Sequence, residues 1–165
     1  MSRRGKGRGR YEIKITNLNK SYKLNEAFIK RIISKIIKKV NKKLKTATLE
    51  VVFLNDRSMK TFNKKYTGRD RATDVLCFDI GVGESGSGGG VADILISLEA
   101  AARNSKIFKV DLESEIVRYI IHAILHLTGQ DDETDREKAR MAREETAILD
   151  QVCEREDLSK VLTPR

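Results

Sequence analysis

Residues 115–127 read EIVRYIIHAILHL, an apolar stretch that carries His122 and His126, the only two histidines of the chain. Such a segment folds as a helix largely enclosed by the rest of the molecule. Four residues advance a helix by about 400°, so the two imidazoles share one face, roughly 6 Å apart along the axis. Whatever covers this helix must accommodate that polar face. Two imidazoles at this spacing can bind one metal ion. Gly129 allows the chain to turn, and Asp132 can then supply a third ligand. The plainer alternative is a pair of histidines satisfied inside a core helix. The spacing, and the Gly and the Asp pair that follow, favour the metal.

A chain of 165 residues suggests one domain, long enough to bury a core without disulfides or metal staples. Its formal net charge of +9 points to an anionic partner, nucleic acid or a membrane surface. No run of apolar residues is long enough for a transmembrane helix. The basic N-terminus lacks the apolar core of a secretory signal. Cys77 and Cys153 form no CxxC pattern and read as reduced cytosolic thiols, so a cytoplasmic location is expected. Residues 1–10, MSRRGKGRGR, cannot build a core and are read as a disordered basic arm able to follow phosphates.

Tyr11–Thr16 alternates as a first strand. Asn25 caps a helix whose apolar face is Phe28, Ile29, Ile32, Ile33, Ile36, Ile37 and Val40. Lys30, Arg31, Lys35, Lys38, Lys39, Lys42 and Lys43 lie on its other face, either solvated or facing RNA. Thr48–Leu54 is a second strand. Asn55 or Asp56 caps a helix that runs to about Tyr66 and stops at Gly68. Asp74–Ile80 and Val91–Ser97 are strands, separated by the loop 81–90, which lacks the Lys and Ser/Thr of a P-loop. A helix starts at Leu98, Asp111 caps the histidine-bearing helix, and Asp135–Gln151 is a last amphipathic helix. Residues 153–165 are read as a C-terminal tail. The order β-α-β-α-β-β-α-α-α predicts an α+β domain, a small mixed sheet packed with helices.

Zinc accepts imidazole nitrogen and carboxylate oxygen, and catalytic sites keep a fourth position open. His122, His126 and Asp132 would form such a set, suited to hydrolysing amides or phosphodiesters. A zincin peptidase needs Glu directly after its first His. That position is Ala123, which argues against peptidase chemistry. A phosphodiesterase instead needs positive charge near the reacting phosphate. The segment Lys64-Lys65-Tyr66-Thr67-Gly68-Arg69-Asp70-Arg71 supplies it, unless it is simply a polar connection.

HAILHLTGQDD resembles the HGxLHLxGYDH motif of the YbeY family, metal-dependent endoribonucleases of ribosomal RNA maturation. YTGRDRATDVLCFD resembles that family's YRGKDxPTDVLSFP, and GGVADILIS its LGDIxIS. KARMAREETAILDQV resembles the Met- and Glu-containing helix that follows the metal motif. The similarity spans roughly residues 11–152. It implies a zinc-binding α+β fold related to zincin peptidases and a metal cleft beside the sheet. It also implies cleavage of single-stranded RNA during maturation of the 3′ end of 16S ribosomal RNA, on the small ribosomal subunit in the cytoplasm.

His122 and His126 match the family's first two metal-binding histidines. Three positions depart from the pattern. The third family histidine falls on Asp132, which keeps a ligand but adds negative charge. The family's Arg after Tyr falls on Thr67, and Arg69 or Arg71 would have to meet the RNA phosphate in its place. The Pro before Thr-Asp is Ala72, which changes loop rigidity. The reading is a zinc-dependent endoribonuclease with one Zn2+ held by His122, His126 and Asp132, and with Arg69 and Arg71 on the phosphate backbone. Gln130 and Asp131 are candidates to support the ligands. The alternatives are a ribosome-assembly factor with a weak or structural metal site, and a metallopeptidase.

Overall fold

The computed structural model describes residues 11–40, 44, 46–81 and 90–164. Strands β1 (Glu12–Asn17), β2 (Thr46–Leu54), β3 (Val75–Asp79) and β4 (Gly90–Ser97) form one sheet in the order β1-β2-β4-β3. β1, β2 and β4 run parallel, and β3 is an antiparallel edge strand. Helices α1 (Glu26–Lys39), α2 (Asp56–Thr67), α3 (Leu98–Phe108), α4 (Leu112–Leu127) and α5 (Asp135–Cys153) complete the α+β fold predicted from the sequence. The basic arm, the residues 82–89 of the glycine-rich loop, and Lys42 and Lys43 lie outside the described residues.

Strand alternation divides the apolar residues between two faces. Ile13, Ile15, Leu49, Val51, Phe53, Ile94, Ile96, Val75 and Cys77 join the main core with α1, α4 and α5. Val52, Leu54, Leu76, Phe78 and Leu95 point the other way and pack with Met59 and Phe62 of α2. On α1, the six residues Phe28, Ile29, Ile32, Ile33, Ile36 and Ile37 are buried. Each contributes about 1.5–3 kcal/mol by leaving water, which is why α1 is anchored against the sheet. The Asn25 side chain accepts from Phe28 N–H and starts the helix.

Part of the basic face of α1 is engaged within the fold, while Lys30 and Lys38 stay exposed. Arg31 and Lys35 both pair with Glu156, and Lys39 Nζ donates to Gln151 Oε1 at 3.0 Å. These contacts tie α1 to the end of α5. A further difference from the sequence reading concerns residues 153–165. Beyond α5 the chain makes a short turn of 3-10 helix, Leu158–Lys160, and Leu24 bridges to Leu162. Leu158 and Val161 are buried in the main core, and Val161 O accepts from Asn25 N–H at 2.9 Å. The segment is a structural closure, not a tail. Only three apolar residues, Leu158, Val161 and Leu162, seat it, too few to produce a periodic signal.

Leu158→Ala is therefore expected to destabilise the protein by about 2–4 kcal/mol, the usual cost of truncating a buried Leu. Urea unfolding should show a lower midpoint at unchanged slope. A midpoint equal to that of the wild type would mean that the closure contributes nothing.

Candidate metal centre

α4 is enclosed almost completely. From Glu115 to Leu125, every residue is buried except Arg118 and His122. With His126 these two form a stripe at four-residue spacing along the one face that α1, α3, α5 and the sheet leave accessible. The His122 and His126 rings meet edge to face with centroids 4.6 Å apart. Thr128 ends the helix, and its hydroxyl donates to the Leu125 carbonyl. Gly129 has φ of 92°, the left-handed region that favours glycine, and here the chain reverses. The reversal returns Asp132 to the two histidines.

Three donor atoms converge at this point. His122 Nε2 and His126 Nε2 are 3.0 Å apart. Asp132 Oδ2 lies 3.7 Å from the first and 3.5 Å from the second. Ligands of tetrahedral zinc, at about 2.0–2.1 Å from the metal, sit about 3.3 Å from one another. The spacing and the donor chemistry thus fit a divalent transition metal. The three side chains are 30%, 24% and 39% exposed, so the centre is reachable from solvent.

Glu145, which the sequence reading did not single out as a functional residue, stands behind His122. Its carboxylate makes a short hydrogen bond with His122 Nδ1. If Nδ1 carries the proton, Nε2 presents its lone pair to the centre, the arrangement that orients metal-binding histidines. Glu145 is itself 8% exposed, and Arg118 Nη1 lies 3.9 Å from it. Burial pushes the His122 pKa down. The hydrogen bond and charge of Glu145, with the charges of Asp132 and Asp74, outweigh this and raise it. One signal in the sequence could have identified Glu145. Met141, Glu145, Ile148, Leu149 and Val152 form one buried stripe on α5, and a carboxylate in such a stripe requires a partner.

The neighbours of the centre have different roles. Gln130 is buried and donates through Nε2 to Glu144, which fastens the returning loop to α5, whereas Asp131 is exposed. Cys77 faces the α4 side from β3. Burial, and then the Asp132 charge, push its thiol up to about 11, so it stays protonated at neutral pH. Ala123 is fully buried, so the position of the peptidase base carries no group able to take a proton.

Arg69 and Arg71 are not part of this cluster. Both are exposed on the connection between α2 and β3. Buried Asn63 braces that connection by donating to the Arg71 carbonyl at 2.8 Å. Thr67 donates its hydroxyl to Asn63, and Gly68, with φ of 75°, closes the helix. Thr67, which stands where the family pattern has an arginine, thus bonds back within the last turn of α2. The connection ends at Asp74, whose charge acts on His122, Tyr119 and Glu115 of α4. Arg71 is three residues away, at most about 11 Å of chain.

Glu145→Gln is expected to lower the affinity for zinc about 10- to 100-fold, as other losses of an orienting carboxylate do. His122→Ala should abolish tight binding. Competition against a chromophoric chelator measures both. Wild-type affinity in Glu145→Gln would show that the carboxylate does not orient the ligand.

Comparison with known proteins agrees with this geometry. The profile of the family described as Endoribonuclease YbeY matches residues 14–153. An endoribonuclease YbeY of Treponema denticola is 34% identical over 125 residues, 73% of this chain and 79% of that one. Those of Myxococcus xanthus and an Anaeromyxobacter species are 38% and 36% identical, over 67% and 62% of this chain. The matches span only 38% and 53% of those two relatives' own lengths. A Thermotoga maritima protein solved in solution superposes with a TM-score of 0.56 at 25% identity, covering 85% of this chain and 88% of its own. With its fold, its convergent donors and these matches in agreement, the chain belongs to the endoribonuclease YbeY family.

Proposed function

We propose that this protein is a zinc-dependent endoribonuclease that cuts single-stranded RNA in the maturation of the 3′ end of 16S ribosomal RNA. The observation that carries the reading is the convergence of His122, His126 and Asp132, with Glu145 behind His122, in a member of this family. Ribosomal RNA and the small ribosomal subunit are the partners in this reading, and the cytoplasm is its location. No helix among the described residues is long and apolar enough to cross a membrane.

His122, His126 and Asp132 would hold one zinc ion, which when bound supplies Lewis acidity to a phosphodiester and to water. The remaining requirements fall on the chain itself. Glu145 holds His122 in one orientation and one tautomer. Buried Ile120, Ile121 and Ala123 exclude water from the back of α4. Arg69 and Arg71 offer charge to the RNA backbone as it approaches the centre. They are exposed, so each contributes more to guiding the strand than a buried arginine would to fixing it. Asp132 places a carboxylate where the family has an imidazole, which lowers the net positive charge of the centre.

Labelled ribosomal RNA should be cleaved by the zinc-loaded protein and not after chelation, while casein remains intact. Asp132→Ala should weaken zinc binding, and Asp132→His should equal or exceed the wild-type rate. The double variant Arg69→Ala/Arg71→Ala is expected to cut at least about tenfold more slowly, since well-placed charge near a reacting phosphate is often worth more. Zinc binding without cleavage of any RNA would instead favour an assembly factor with a structural metal. Cleavage of casein would favour a peptidase.

A further inference from the structure

The sheet face away from α4 carries a second feature with chemistry of its own. Tyr66, in the last turn of α2, is 53% exposed. Its ring is nevertheless held in place. Phe62, one helical turn earlier, lies parallel to it within 3°, at 6.1 Å between centroids. Phe78 of β3 meets it at 4.9 Å, tilted by 45°. Phe62 and Phe78 in turn pack on Leu54, Met59 and Leu95. An aromatic ring ordered by folding loses little further freedom when a ligand stacks on it.

The charges nearby differ in their state. Lys60 and Lys64 lie 3.7 and 3.3 Å from Asp70, which offsets part of their charge. Among the described residues, Lys65, Arg69 and Arg71 have no such carboxylate. Lys65 Nζ lies over the Tyr66 ring, 5.3 Å from its centre, a cation–π contact that a base stacking on that face would displace toward the adjoining phosphate. The end of α2 and the connection that follows it therefore present an exposed, braced ring and three cations that no carboxylate holds.

Phosphate alone would need the cations but not the ring. An apolar protein surface would need the ring but not the cations. A single-stranded nucleic acid uses both, stacking a base on the aromatic face while its phosphates meet the cations. A duplex keeps its bases stacked inside and cannot do so. We propose that Tyr66 is a stacking platform for one base of single-stranded RNA, with Lys65 on the adjoining phosphate and Arg69 and Arg71 leading the strand toward α4. This rests on the reading of the protein as a ribonuclease and adds where its substrate is gripped. Leu76 and Phe78 of β3 face the platform, whereas Val75 and Cys77 face the α4 side. The edge strand thus lies between Tyr66 and the donor cluster. Tyr66 acts on binding, and not on the bond that is cut.

The test uses the full-length protein in chelator, where RNA is bound and not consumed. The probes are a single-stranded RNA containing 2-aminopurine, its duplex, and an acidic peptide of equal charge. The wild type should bind the single strand and quench its fluorescence, with much weaker binding of the duplex. Tyr66→Ala and Tyr66→Leu should each weaken binding about 5- to 100-fold and lose the quench. Tyr66→Phe should stay within about twofold. The salt dependence should be unchanged in all three, because no charge is removed. Zinc content and melting temperature report whether each variant is folded. Wild-type affinity in folded Tyr66→Leu overturns the platform, as does tighter binding of the peptide or the duplex. Cleavage is measured separately with zinc. RNA cut normally by the wild type while Tyr66→Leu binds unchanged removes the platform alone. Platform-dependent binding with no cleavage removes the nuclease reading alone. A wild type that binds no RNA removes both.

Discussion

The constraint on which the structure depends is that α4 must be buried and must also present two imidazoles. The eight buried apolar residues of α4 are stable only when covered, and here α1, α3, α5 and two strands cover them. What remains is one stripe, Arg118, His122 and His126, a single line of side chains wide. The depth of the candidate metal centre follows from this. The imidazoles are half-buried because their backbone is buried, and they reach solvent only because the surrounding elements part along that line. Any change that loosens the packing of α4 would also alter the distance between the donors.

Electrostatic pairing narrows the meaning of the net charge. A value of +9 suggests a broadly basic surface. Within the fold, Arg31 and Lys35 meet Glu156, and Lys60 and Lys64 meet Asp70. The exposed pairs at Asp70 add little to stability, and the Glu156 carboxylate is largely covered, but both sets remove cations from those available to an anionic partner. The charge that is left without a carboxylate near the site is concentrated at Lys65, Arg69 and Arg71. Location, and not total charge, is what points to RNA at the β3 edge.

The departures from the family pattern are also structural compromises. Thr67 gives its hydroxyl to Asn63 and helps close α2, a role that an arginine at that position would not fill in the same way. Arg69 and Arg71 stand two and four residues further along, on a connection that Asn63 holds by the Arg71 carbonyl. Asp132 keeps an oxygen donor in reach of both histidines at the expense of a more negative centre. The buried Glu145 of α5 sits behind the first histidine.

Much of the fold was legible in the sequence because its signals are local. The period of α1, the cap at Asn25, the α2 cap narrowed to Asn55 or Asp56, and the stops at Gly68 and Gly129 depend on neighbours a few residues away. The pairing of His122 with His126 is legible for the same reason, since one helix turn brings them together. Other features depend on contacts between distant parts of the chain and could be decided only by the tertiary structure. Glu145 meets His122 across two helices, Glu156 draws the basic face of α1 onto α5, and residues 158–162 close the core against Leu24. Tyr66 and Phe78 meet only because α2 packs on the face of β3 that α4 leaves uncovered. Periodicity determines which face of an element is apolar. Which partner that face meets is set by packing the whole chain into one core.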